Sequence, residues 1–213
     1  MSKQRTRPAG RGTPIQISKS FPWGIVLGGL VLGLVLVGVL VYAVLNAGSA
    51  APDPLRDADS ALDGVTVADT APSRDHKPGQ LTYDRTPPWG GDHNVVWSTC
   101  TGNVYPEPIP EENATHSLEH GAVWVTYRPD LPPDEVAVLR EQVEGTDYRL
   151  MSPYPGLQSA VSLQAWGRQL SLDSATDPRV ETFLTEYTGG PQTPEPGASC
   201  SGGTTATGTE PAG

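Results

Sequence analysis

Two histidines, His116 and His120, stand four residues apart in the stretch NATHSLEHGAVWVTY (residues 113–127), and the chain's other two, His76 and His93, lie upstream within the same 45-residue span. If residues 115–120 form a helical turn, His116 and His120 share a face and can hold one ion. His93 and His76 fall in turn-rich segments that could fold over that turn. Neutral imidazole is a common ligand for zinc, copper and nickel. Met151, the one methionine besides Met1, adds a soft thioether at the end of an expected strand, which suits Cu(I). The expected ligand set is therefore His93, His116 and His120, joined by His76 and Met151. Copper is the favoured metal and zinc the alternative. A methionine more often fills a gap in a core, and that reading of Met151 stays open.

Three other chemistries compete for these residues. The order His116-x-x-Glu119-His120 matches the H-x-x-E-H pattern of inverted zincins, with two zinc-binding histidines and a glutamate that activates water. That pattern belongs on a long helix, whereas Gly121 and a β-branched run follow at once. A metal-free arrangement has His116 capping a turn and His120 bonding main-chain carbonyls at the strand entrance. An interaction module would instead dock a partner through the aromatic loop residues Trp89, Trp97 and Tyr105. Neither a Gly-x-Ser-x-Gly turn that would present Ser117 as a nucleophile nor a glycine-rich phosphate loop occurs. No catalytic residue is assigned, and an enzyme is the less favoured outcome.

The elements that must position these groups are read from pattern. Residues 76–112 are turn-rich, with Pro87-Pro88, Gly90-Gly91 and prolines at 106, 108 and 110, and a short extended piece around Val95–Trp97. Gly121–Tyr127 reads as a strand. Leu131-Pro-Pro-Asp-Glu opens a helix with Val136, Leu139 and Val143 on one face, and Gly145 ends it. Asp147–Met151 is a second strand. Ala160–Trp166 and Gln169–Leu172 form a strand pair turned at Gly167-Arg168, with Arg168 expected to pair with an acid such as Asp173. Asp177 caps a last helix that runs through Val180, Phe183, Leu184 and Tyr187 to Gly189-Gly190. The order β-α-β-β-α predicts an α+β domain, a mixed sheet with helices on one face.

Trp23 to Leu45 gives 23 consecutive uncharged residues. As a helix at ~1.5 Å per residue this run spans about 34 Å, enough for the ~30 Å hydrocarbon core of a bilayer. Lys3, Arg5, Arg7, Arg11 and Lys19 precede it and acids follow it, which predicts a cytoplasmic N-terminus and an extracytoplasmic C-terminal domain. The rival is a cleaved signal peptide ending at the small residues Ala47–Ala50, but its apolar region is usually shorter. Gly24-x3-Gly28 and Gly29-x3-Gly33 could let two such helices pair as a homodimer. The expected organisation is a basic cytoplasmic tail (1–22), a transmembrane helix (23–45), a flexible stalk (46–74), the domain (75–200) and a disordered tail (201–213). Five of the 14 bases precede the span, so nine remain beyond it against all 24 acids, a charge of −15 with histidine neutral. That balance disfavours nucleic-acid binding.

Cys100 and Cys200 are the only cysteines. In an exported setting a pair is most simply a disulfide, here closing a loop of about 100 residues worth up to ~4.7 kcal/mol. Metal thiolates are the alternative, without C-x-x-C spacing to support them.

Several segments occur together in one order: TPPWGGDHN, VYPEPIPEENATHSLEHGAVWVTYRPDLP, MSPYPGL, AWGRQLSLDS and GPQTPEPGASC. In these the chain, from about His76 to Cys200, resembles the bacterial, largely actinobacterial, family known as domain of unknown function 3105. Where that family usually reads Pro-Pro-Thr-Ser-Gly-Pro-His-His, this sequence has Pro-Pro-Trp-Gly-Gly-Asp-His93-Asn94, so one histidine of the doublet is absent. The resemblance implies an exported, membrane-tethered domain without an assigned activity.

Overall fold

The computed structural model describes residues 23–46 and 53–213, which fall into two units divided near residue 51. The first holds α1 (Trp23–Asn46), a 24-residue helix without a charged residue. Its large apolar side chains from Leu27 to Tyr42 stand exposed. Among the described residues, no helix is long and apolar enough to cross a membrane. What the structure establishes here is the helix. The expected cytoplasmic tail (1–22) and the start of the expected stalk lie outside the described residues.

The second unit is built on one six-stranded mixed sheet in the order β1-β6-β5-β3-β4-β2. The strands are β1 (Thr66–Val67), β2 (Thr101–Val104), β3 (Val123–Tyr127), β4 (Arg149–Pro153), β5 (Val161–Ala165) and β6 (Arg168–Leu172). The pairs β2–β4 and β4–β3 are parallel, while β3–β5, β5–β6 and β6–β1 are antiparallel. Central β3 is covered on both faces, and period-2 alternation divides its side chains: Val123 and Val125 point one way, Trp124 the other.

On the Val125 face lies the larger core. α4 (Pro133–Val143) brings Leu139 and Val143, and α5 (Arg179–Tyr187) brings Val180, Phe183, Leu184 and Tyr187, against Val161, Leu163, Leu170 and Leu172. These are the periodic positions expected from the sequence. On the Trp124 face lies α3 (Glu111–Glu119), whose Ala114 and Leu118 pack with Trp124, Leu150, Tyr105 and the disulfide. Helices therefore cover both faces rather than one. The second half runs β3-α4-β4-β5-β6-α5, with all four strands located in the sequence present, one more than the order β-α-β-β-α counts.

Three further expectations are corrected. The stretch 53–74, expected to be stalk, contains α2 (Pro54–Ala61), capped by Asp53, and β1. Ala58 and Leu62 enter the core, and Asp59 binds Arg168 at 3.0 Å and accepts from the Tyr187 hydroxyl at 2.9 Å. One buried apolar position in a polar helix and one at its C-cap give too little periodicity to be read, and Arg168 finds its acid here rather than at Asp173. The tail 201–213 is ordered by main-chain bonds that need no apolar side chain. Thr204 N–H donates to the Trp97 carbonyl at 2.8 Å, and Ala212 N–H donates to Asn113 Oδ1 at 2.9 Å. Finally, Val95 and Val96 lie in a bend, not an extended piece.

Candidate metal centre

α3 starts after the prolines at 106, 108 and 110, with Glu111 and Glu112 in its first turn where the helix dipole favours acids. It ends at Glu119, with His120 as its C-cap. Gly121 then turns with φ +103°, and a Cβ there would meet Thr193 Oγ1 at 2.8 Å, so glycine is required. The helix places His116 and Glu119 three residues apart, on one side, and His120 four from His116.

A strap of residues 93–98 lies along α3. Ser98 N–H donates to the Asn113 carbonyl at 2.9 Å, Asn113 Nδ2 to the Val96 carbonyl at 2.6 Å, and Ser117 Oγ to the Ser98 carbonyl at 2.7 Å. This seats His93 beside the C-terminal end of α3. His76 follows through a short bridge to His93, in which Lys77 N–H donates to the His93 carbonyl at 2.8 Å. The rings of His76, His93 and His116 form a triangle with every centroid separation 4.8 Å. One ligand atom from each of His76, His93, His116 and Glu119 lies within 4.8 Å of all the others.

The hydrogen bonds fix which ring nitrogens face inward. His93 Nδ1 sits 2.7 Å from the Gly91 carbonyl, His116 Nδ1 2.7 Å from the Asn94 carbonyl, and His120 Nδ1 2.9 Å from the Ser199 carbonyl. A carbonyl only accepts, so each Nδ1 carries the proton and donates, which leaves each Nε2 with a free lone pair. Such backbone tethering of the far nitrogen is how metal-binding histidines are held. Burial lowers the pKa of all three rings from the usual 6.5, His116 to about 4, against the opposing pull of those carbonyls. All three are neutral at pH 7 and able to ligate.

His93 Nε2 and Glu119 Oε2 stand 2.9 Å apart, buried, and neither has a hydrogen-bond donor among the described residues. Two acceptors at that distance repel unless a cation lies between them. A proton would satisfy this one pair. A metal ion would satisfy the pair and also the lone pairs of His116 and His76. At metal–ligand distances of 2.0–2.2 Å, two ligands of one ion lie no more than about 4.4 Å apart. The spacings here, 2.9 Å for His93–Glu119, 3.8 Å for His76–Glu119 and at most 4.8 Å across the group, need only a small contraction. Glu119 is also supported from outside, with its Oε1 3.6 Å from Arg74 Nε. Burial and the repulsion of Glu195 raise its pKa, while Arg74 and His76 pull it down.

The expected ligands thus divide. His76, His93 and His116 come together. His120 packs on His116, with ring centroids 4.6 Å apart, but stands outside the group and faces Glu195. Met151 is fully buried in the larger core, on the opposite face of the sheet from α3. Its register partner is Val125, so strand parity directs it away from the histidines. Glu119, expected as a catalytic base if anything, supplies the fourth potential ligand atom of the group. Its place three residues after His116 was the available signal. The long helix of an inverted zincin is not reproduced. Of the aromatic residues expected to dock a partner, Tyr105 is in the smaller core, Trp97 packs on His116 and His120, and Trp89 lies under the Arg85 guanidinium at 4.1 Å. Cys100 and Cys200 are joined in a disulfide, which excludes them as thiolate ligands. Asn94, where the histidine doublet loses its second member, contributes its carbonyl to His116 while its side chain accepts from Val96 N–H.

Fold and site together define a small α+β domain with a three-histidine, one-carboxylate group, buried except at His76, that could hold a metal ion. No curated protein and no solved structure matches the chain. Residues 76–202, more than half of it, match the family described as Protein of unknown function (DUF3105), and the chain belongs to that family. Every ligand of the group falls within the matched residues.

Proposed function

We propose that this protein binds one divalent transition-metal ion through His76, His93, His116 and Glu119, in a domain held at the outer face of a membrane by α1. The observation that carries the reading is the buried pair of acceptors, His93 Nε2 and Glu119 Oε2, on which two further imidazoles converge. A nitrogen-and-oxygen donor set favours Zn(II) or Cu(II). Cu(I) handling drew its support from Met151, which lies across the sheet, so a cuprous site is not part of the reading. His76, 45% exposed, forms the open rim through which water or another molecule could reach the ion.

Anchoring rests on the uncharged 23-residue run, the preceding basic cluster and the exposed apolar surface of α1. The disulfide fits an oxidising, extracytoplasmic location. Pairing of two chains through the glycines of α1 and a protein partner for the domain are compatible with this placement and are not needed for metal binding.

The test is elemental analysis and equilibrium dialysis of the purified full chain with Zn(II) and Cu(II), beside His93→Ala and His116→Ala. One equivalent is expected for the wild type, with affinity reduced at least ~100-fold in each variant. Wild-type chain that takes up less than a tenth of an equivalent would refute the metal reading. Protease treatment of intact cells and of inverted membranes tests orientation: cleavage of the domain only in intact cells is expected.

A further inference from the structure

We propose that His120 and Glu195 form an outer ligand pair through which the ion enters and leaves the inner group, so that they govern exchange rather than affinity. The proposal rests on the metal-binding reading of the inner group.

His120 is built like a ligand but has no ligand's partner. Its Nδ1 donates to the Ser199 carbonyl, which turns its Nε2 into an acceptor, and among the described residues the nearest acidic oxygen is Glu195 Oε2 at 3.9 Å. That separation is too long for a hydrogen bond and lies within the about 4.4 Å that two ligands of one ion can span. An ion could therefore bridge the two without either side chain moving. The imidazole is nearly buried, whereas the Glu195 side chain is 46% exposed, so the pair leads from solvent inward. Beyond it the His116 ring lies 4.6 Å from that of His120, and Trp97 covers both rings, at 5.7 and 5.0 Å, closing the route on one side.

The arm that carries Glu195 is fixed in place. Glu195 N–H donates to the Glu119 carbonyl at 3.1 Å, Cys200 is bonded to Cys100, and Ser199 lies between them. The inner carboxylate and the outer one are thus tied to adjacent main chain. The sequence is Glu195 at the surface, His120 beneath it, and then His116, already a member of the inner group. A ligand pair of this kind lowers the barrier to exchange by holding the ion while an inner ligand lets go. It leaves the equilibrium affinity to the four inner ligands.

The experiment loads the full chain with one equivalent of Zn(II) and follows release to an excess of the chromogenic chelator pyridylazoresorcinol by stopped flow. Equilibrium affinity is measured in parallel. His120→Gln and Glu195→Gln are expected to bind one ion within about threefold of wild-type affinity while releasing it about tenfold more slowly. Glu195 is on the surface, so its variant keeps the test valid if His120→Gln folds poorly. Unchanged release rates in variants that still bind would overturn the proposal and leave the inner site standing. Loss of the ion from His120→Gln would overturn it differently, by making His120 an inner ligand. A wild-type chain that binds no Zn(II) removes both readings.

Discussion

The two faces of the sheet are built on opposite principles. Against Val123, Val125 and Met151, α4 and α5 lay down Leu, Val, Phe and Tyr at helical spacing, and the contact is apolar. Against Trp124 and Leu150, α3 offers only Ala114 and Leu118, and the rest of its buried surface is polar: Glu112, Asn113, Thr115, His116, Ser117 and Glu119. That second face is closed by straps of chain, held by main-chain carbonyls and a disulfide. The first face supplies folding free energy. The second uses some of it, because His93 Nε2 and Glu119 Oε2 are desolvated without donors. Polar burial of that sort is retained where it serves a site.

Breaking the closure of the polar face should have the largest effect. With the cysteines 100 residues apart, Cys100→Ser/Cys200→Ser is expected to cost up to ~4.7 kcal/mol, seen in denaturant titration. The loss of protection from hydrogen exchange should concentrate in 93–98 and 191–204 before it reaches β3. Uniform loss of protection would mean that the two faces are not separable. Phe183→Ala, deep in the apolar face, should cost ~3–5 kcal/mol while changing metal affinity less than about threefold. A large affinity loss in the folded variant would show that the apolar face shapes the site directly.

Zn(II) acts in the reverse direction. At a free concentration ~100 times its Kd it should stabilise the wild type by ~2.7 kcal/mol, and leave His93→Ala/His116→Ala unmoved in a thermal melt. An equal shift in both proteins would place the ion elsewhere.

The smallest effect is that of pH on the metal-free chain. His93, His116 and His120 titrate below 6.5 in the folded state, His116 near 4. The unfolded chain therefore binds more protons as pH falls from about 6.5 to about 4, and stability declines across that window. Glu119, with a raised pKa, works in the other direction but is one group against three. Melts of the metal-free protein at pH 8, 6.5 and 5 should show the decline, and His116→Ala should flatten it. A flat wild-type profile would mean that the rings are solvated.

The same contrast explains what could be read from the sequence. Val136, Leu139 and Val143, and then Val180, Phe183, Leu184 and Tyr187, repeat at helical spacing because each meets the same apolar surface, so α4 and α5 were legible. The β-branched and aromatic run from Gly121 to Tyr127 disclosed β3. α3 was visible only as a turn, since EENATHSLE has two apolar residues and owes its burial to straps that periodicity does not register. α2 and the C-terminal segment were hidden for the same reason. Within the site, the histidines identified themselves by type and clustering. Glu119 was noticed only as a possible base, and the fold sets it beside the histidines as a fourth potential ligand. Met151 had the chemistry and lacked the place, a matter of strand parity that its pairing with Val125 decides. Glu195 and Arg74 act through contacts across the fold and left no local trace.

Central to the account is that one ion is held by imidazole nitrogens and a carboxylate, with no sulfur. X-ray absorption at the zinc edge of the full chain, loaded with one equivalent of Zn(II), tests this most directly. The account predicts a first shell of nitrogen and oxygen at ~2.0–2.2 Å with the multiple scattering of about three imidazoles. A sulfur shell near 2.3 Å, or a shell of water oxygens without imidazole, would contradict it.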